Sequence, residues 1–290
     1  MSTKPKHNNY PRHFHPTALP SIEMDPLANI GKKHLESPRV VLITGANSGV
    51  GLATAKILTS ASTDYHVIIA ARSLSKAKIA KSEVEAENTN SSSRLSTVQL
   101  DVTDGASITR AHDFVEKEFG YLDALINNAA VGSSDPDVYT RFRANMDTNV
   151  IGPAVIADVF RPLLFKSSNP YSIFVSSGAG SFGRAIERLK AKGEKPPEPR
   201  NGGAYHASKA ALNMIALREH IEFAEKGLKV FAMSPGFVVS NLRGTSEESR
   251  SGWGKAGPAS VPGEFMLNIL DGKRDEDVGK LVWKDGIYEW

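Results

Sequence analysis

From Arg39 onward the chain alternates short runs of β-branched and other apolar residues with longer amphipathic stretches, and few architectures accommodate that rhythm. The runs are VVLIT (40–44), HVIIAA (66–71), LSTVQL (95–100), ALIN (124–127), SIFVS (172–176) and LKVFAM (228–233). Most are apolar on both sides of the pleat, which suits strands buried between two layers rather than facing water on one side. Between them, the segment 108–119 places Ile108, Ala111, His112 and Val115 near one face, as a helix covering a sheet requires. The pattern predicts an α/β fold with a doubly wound parallel sheet of about seven strands and helices on both faces. No internal repeat and no linker divides 38–290, so this region is expected to form one domain.

Three segments depart from the rhythm. Residues 1–37 carry Pro5, Pro11, Pro16, Pro20 and Pro26 among His, Asn and Lys, and predict a flexible or extended N-terminal arm. Its histidines His7, His13, His15 and His34 have no helical pairing or carboxylate framework, so no metal site is expected. The stretch 183–203 is an inserted surface loop, a short helix-like run ending at Pro196, Pro197 and Pro199, and 241–262 around Trp253 is a candidate substrate lid. A net charge of +3 with dispersed charges argues against nucleic acid, and the absence of cysteine rules out disulfides and thiolate metal ligands. With no long apolar run and no apolar segment behind the charged start, neither membrane spanning nor secretion is read, and a cytoplasmic location is expected.

Directly after the first strand come Thr44-Gly45-Ala46-Asn47-Ser48-Gly49-Val50-Gly51, followed by a helix-like segment. Glycines allow a sharp turn and a close backbone approach to a pyrophosphate, while the free N–H groups of a new helix meet the anion. Between strand and helix, this is the setting a dinucleotide fingerprint needs. At the end of the second strand, where an NAD-binding chain usually has an acid, Ala71 is followed by Arg72; a guanidinium there, helped by Asn47 and Ser48, predicts the extra phosphate of NADP(H). Farther on, Tyr205 and Lys209 open a long helical segment at spacing i, i+4 and share a face. An ammonium near a phenol lowers its pKa, which suits a proton donor and acceptor.

These motifs, with DV at 101–102, NNAA at 127–130, Asn149, SS at 176–177, YHASK at 205–209 and PGFVVS at 235–240, resemble the short-chain dehydrogenase/reductase family over nearly all of 40–290. The resemblance implies a single Rossmann-type sheet. It also implies that Tyr205 is the general acid in reduction, that Ser177 holds the substrate carbonyl oxygen, and that Lys209 binds the nicotinamide ribose and depresses the tyrosine pKa. Asn149 would complete a proton relay to Lys209. Asp101 and Val102 would meet adenine, Asn128 and Ala129 the adenosine ribose, and Pro235, Gly236, Val238 and Ser240 the nicotinamide side. Ser176 is expected to be the structural partner of the serine pair. Two departures stand out: Ala130 replaces the usual glycine, and 28 positions separate Ser177 from Tyr205 where many members have roughly a dozen. Carbonyl-reductase-like members carry an insertion at this place, and the ending GKLVWKDGIYEW resembles fungal relatives, many of them serving secondary metabolism.

The expected activity is NADPH-dependent reduction of a ketone or aldehyde, with a cofactor-binding protein of non-redox function as the alternative. Phe182, Phe237 and Trp253 suggest a bulky or aromatic carbonyl substrate. The insertion enters the Tyr205 helix and brings six basic residues (Arg184, Arg188, Lys190, Lys192, Lys195, Arg200) against three acidic ones (Glu187, Glu194, Glu198). Two such loops facing across a two-fold axis would repel, so a monomer is expected over the usual family tetramer.

Overall fold

A computed structural model describes residues 38–61, 64–88, 94–190 and 202–290; the N-terminal arm at 1–37, with its four histidines, and the centre of the insertion at 191–201 lie outside them. Each of the six expected runs forms a strand: β1 Arg39–Thr44, β2 Tyr65–Ala71, β3 Leu95–Gln99, β4 Ala124–Asn127, β5 Tyr171–Val175 and β6 Lys229–Met233. Both sides of the pleat are buried. Val40 and Leu42 pack into one core and Val41 and Ile43 into the other, each essentially inaccessible to solvent, which is why β1 reads as a continuous apolar run.

The helices divide between these two cores. On the first face lie α3 (Gly105–Glu118), α5 (Gly152–Leu164) and α7 (Gly203–Phe223), contributing Ile108, Phe160 and Leu212. On the second lie α1 (Gly49–Ala61), α2 (Leu74–Glu87) and α9 (Ser260–Leu270), contributing Leu58, Ala80 and Ile269. The remaining helices, α4 (Val138–Met146), α6 (Phe182–Lys190) and α8 (Glu247–Arg250), sit in the connections. In α3, Ile108, Ala111 and Val115 are buried, and His112 is half-buried with its ring edge-on to Phe160 at 5.6 Å.

The sheet order is β3-β2-β1-β4-β5-β6-β7-β8, one strand more than the sequence pattern predicts. The last two, β7 (Leu281–Trp283) and β8 (Gly286–Tyr288), form an antiparallel hairpin on an otherwise parallel sheet. Strands of three residues carry no readable period. Their hairpin is fixed from outside, since Arg274 donates to the carbonyls of Trp283 (3.2 Å) and Gly286 (3.3 Å) and Trp283 stacks on Tyr288 at 5.1 Å. Strand order reverses between β1 and β4, and the carboxyl ends of the strands on either side of such a reversal leave a crevice. Among the described residues no helix is long and apolar enough to cross a membrane.

Candidate active site

Glycine defines the turn between β1 and α1. Gly45 has φ +65° and a side chain there would meet the Ala129 backbone at 2.9 Å, while Gly49 has φ +57°. The first helical N–H to find a partner is that of Leu52, donating to the Ser48 carbonyl at 3.3 Å, so the preceding amides remain available to an anion. Gly51 serves packing instead, because a Cβ there would lie 2.5 Å from Asn128 Nδ2 and would hold α1 away from the β4 end. Asn128 Nδ2 donates to the Thr44 carbonyl at 2.7 Å, and Thr44 Oγ1 accepts from the Asn128 and Ala129 amides at 2.9 and 3.0 Å. The glycine turn and the NNAA stretch are thereby one rigid unit.

A cleft of about 560 Å³ runs over these strand ends. Of the site residues expected from sequence it is lined by Gly45, Asn47, Ser48, Gly49, Val50, Arg72, Asp101, Val102, Asn128, Ala129, Ser177, Tyr205, Lys209, Pro235, Gly236, Val238 and Ser240. Gly51 and Asn149 stand behind it. Asn149 is fully buried in a π-turn (Asp147–Ile151), exchanging hydrogen bonds with the Val131 backbone (2.8 and 2.9 Å) and donating to Ser208 Oγ at 3.0 Å. It ties the β4 loop to α7. The aromatic trio takes no part in the lining: Phe182, Phe237 and Trp253 are 68%, 52% and 69% exposed.

At one end, Arg72 and Lys76 project from the start of α2 without an acidic partner among the described residues. Ser73 lies between them and caps α2 by accepting from the Lys76 amide. At the other end, Tyr205 sits on the first turn of α7 and lines the cleft together with Ser177, at the end of β5, close enough for the serine to favour the phenolate. Ser176, the neighbour, is buried and donates to Asn213 Oδ1, a structural link between β5 and α7. The insertion therefore lengthens the chain between Ser177 and Tyr205 without separating them.

The electrostatics at this end set burial against nearby positive charge. Burial pushes the Tyr205 phenol up to about 12, opposed by Ser177 and by the positive charge of Arg243. Burial brings Lys209 down to about 7. Its Nζ donates to the Val175 carbonyl at 2.8 Å and lies 5.7 Å from the Tyr205 ring centroid. Arg243 thus joins Lys209 as a basic residue near Tyr205, and its charge favours the phenolate.

The spacing of motifs does not reveal Lys76, Thr148, Leu242, Arg243 or Thr245, all of which line the cleft. Lys76 could have been found four residues after Arg72, in the first turn of the helix that the Arg72 strand end leads into. Arg243 comes from the 241–262 segment, here a 3₁₀ turn (Asn241–Arg243) followed by α8, and only the folded chain brings it across to Tyr205.

Residues 39–189 match the short chain dehydrogenase family. The chain is 35% identical to the short-chain dehydrogenase/reductase tropE of Talaromyces stipitatus, over 87% of this chain and 97% of that one. It is 34% identical, with the same coverage, to eupG of a Phoma species, also a short-chain dehydrogenase/reductase. Among solved structures it resembles NADPH-bound carbonyl reductase from chicken fatty liver, with TM-score 0.71, 27% identity, and coverage of 88% of this chain and 100% of that one. The chain belongs to the short-chain dehydrogenase/reductase family and is an oxidoreductase using a nicotinamide dinucleotide. The site accommodates that cofactor: two glycines hold positive φ where the backbone must turn, free amides open α1, and the cleft reaches from Arg72 to Lys209.

Proposed function

We propose that the protein reduces a ketone or aldehyde with NADPH, and that Tyr205 delivers the proton. The observation that carries this reading is that Ser177 and Tyr205 line one end of a cleft whose other end presents Arg72 and Lys76. The nicotinamide supplies the hydride when bound. Ser177 and Tyr205 present two hydroxyl donors to one carbonyl oxygen, so its developing negative charge meets donors already in position. Tyr205 Oη then gives up its proton to that oxygen. A phenol held near 12 is a weak acid at rest, and the charge of Arg243 offsets part of the burial that makes it so. Lys209 would hold the nicotinamide ribose, while Asn47, Ser48 and the α1 amides would receive the pyrophosphate. Asp101, Val102, Asn128 and Ala129 would flank the adenosine. Pro235, Gly236, Val238 and Ser240 would form the opposite wall, and Asn149 would support the relay from behind.

Two cations at the end of β2, without a carboxylate partner among the described residues, favour the 2′-phosphate of NADPH over the bare ribose of NADH. Loss of NADPH absorbance over a panel of ketones and aldehydes tests the reaction. Tyr205→Phe is expected to retain less than about a hundredth of the rate while binding NADPH normally. Arg72→Ala should narrow the NADPH/NADH preference by about tenfold. A tyrosine variant keeping about a tenth of the rate would overturn the proton assignment.

A further inference from the structure

Arg243 is held in place with unusual completeness for a residue in a connecting segment. Its Nε donates to the Ser249 carbonyl at 3.0 Å, and its Nη2 donates to the carbonyls of Val238 (2.9 Å) and Arg250 (2.8 Å). Its guanidinium carbon lies 4.4 Å over the Phe237 ring. These contacts draw the two ends of the segment together around one planar group, and they explain why Phe237 packs there without lining the cleft. They use two of the three nitrogens. Nη1 has no hydrogen-bond partner among the described residues, although Arg243 lines the cleft and acts electrostatically on Tyr205. Its charge is also uncompensated, since no carboxylate pairs with it among the described residues.

A fixed guanidinium with a free donor edge, lining the same cleft as Ser177 and Tyr205, is a receptor for an anion. Its alternative use would be on the cofactor pyrophosphate. The glycine turn and the α1 amides would already serve that anion, whereas Arg243 lies near enough to Tyr205 for its charge to favour the phenolate there. We infer that Arg243 is a specificity-determining residue that receives, through Nη1, an anionic oxygen of the substrate, a carboxylate or an ionised enol or phenol beside the carbonyl being reduced. The inference rests on the carbonyl reduction proposed above and names the substrate class of that site.

The test uses the full chain saturated with NADP+ and a matched pair of probes, ortho-acetylbenzoate and its methyl ester, titrated calorimetrically. Binding requires no turnover, so a failure of the reduction itself leaves this measurement intact. The acid is expected to bind at least about tenfold more tightly than the ester, and Arg243→Gln should erase that preference. Arg243→Lys, which keeps the charge and loses the fork, should retain part of it and serves where the glutamine variant folds poorly. Equal affinity of the wild-type chain for acid and ester would overturn the inference. So would an acid/ester ratio unchanged by both substitutions while NADPH affinity falls, since the guanidinium would then serve the cofactor phosphates.

Discussion

Lys209 is only 2% exposed, with its Nζ bound to a single carbonyl, and its burial has a consequence for the whole chain. Below about pH 7 the ammonium is charged in both folded and unfolded states. From there to the ordinary value of 10.5, the unfolded chain keeps a proton that the folded chain has released. Stability must therefore rise with pH through that window, by up to about 1.4 kcal/mol per pH unit for one proton. Urea unfolding without cofactor, compared between wild type and Lys209→Met, isolates this residue. The wild type should gain stability relative to the variant from about pH 7 to about pH 9, and parallel curves would show that Lys209 stays charged. Tyr205 and Lys209 were legible in the sequence because a helix places i and i+4 on one face. Their protonation was not, since it depends on how deeply α7 is buried and on Arg243, which arrives from 34 residues beyond Lys209.

At the scale of elements, the segment joining β5 to α6 is the most exacting. The 3₁₀ turn Gly178–Gly180 lies against α7 so closely that a Cβ on Gly180 would meet the Lys209 carbonyl carbon at 2.5 Å and the Ala210 amide at 2.7 Å. Those atoms are backbone and cannot swing aside. Gly180→Ala should cost about 1–3 kcal/mol and lift the turn away from α7, moving Ser177 off Tyr205. Urea midpoint and kcat should fall together; a variant with normal stability and normal kcat would mean that the turn adapts without disturbing the serine. The sequence could not signal this contact, because a glycine at a helix–turn crossing looks like any loop glycine. The six long strands were legible to within a residue at each end, because burial on both faces leaves continuous apolar runs. The β7–β8 hairpin was not, being defined by Arg274 and a ring stack rather than by a pattern of its own.

For the molecule as a whole, the surface of α4, α5 and α7 bears on whether copies associate. It exposes Val138, Tyr139, Phe142, Ile151, Val155, Met214 and Ile221, and Tyr139, Phe142 and Ile151 share one depression with the ion pair of Arg143 and Asp147. On α7, however, the exposed Arg218 stands between Met214 and Ile221, and on α5 the exposed Asp158 follows Val155 by one turn. Apolar residues interrupted by charge in this way are normal on a monomer, whereas an interface core is depleted of charge. Ahead of α7, helix α6 has no buried residue and carries Arg184, Arg188 and Lys190 against Glu187, so a two-fold axis near this end would bring like charges together. We therefore predict a monomer. Light scattering in moderate salt across a range of concentrations should return a mass near 31.3 kDa. A concentration-independent mass of two or four chains would show that the apolar residues of α5 and α7 close over Arg218 and Asp158. Replacing Met214 and Ile221 together by lysine would then be expected to dissociate the assembly.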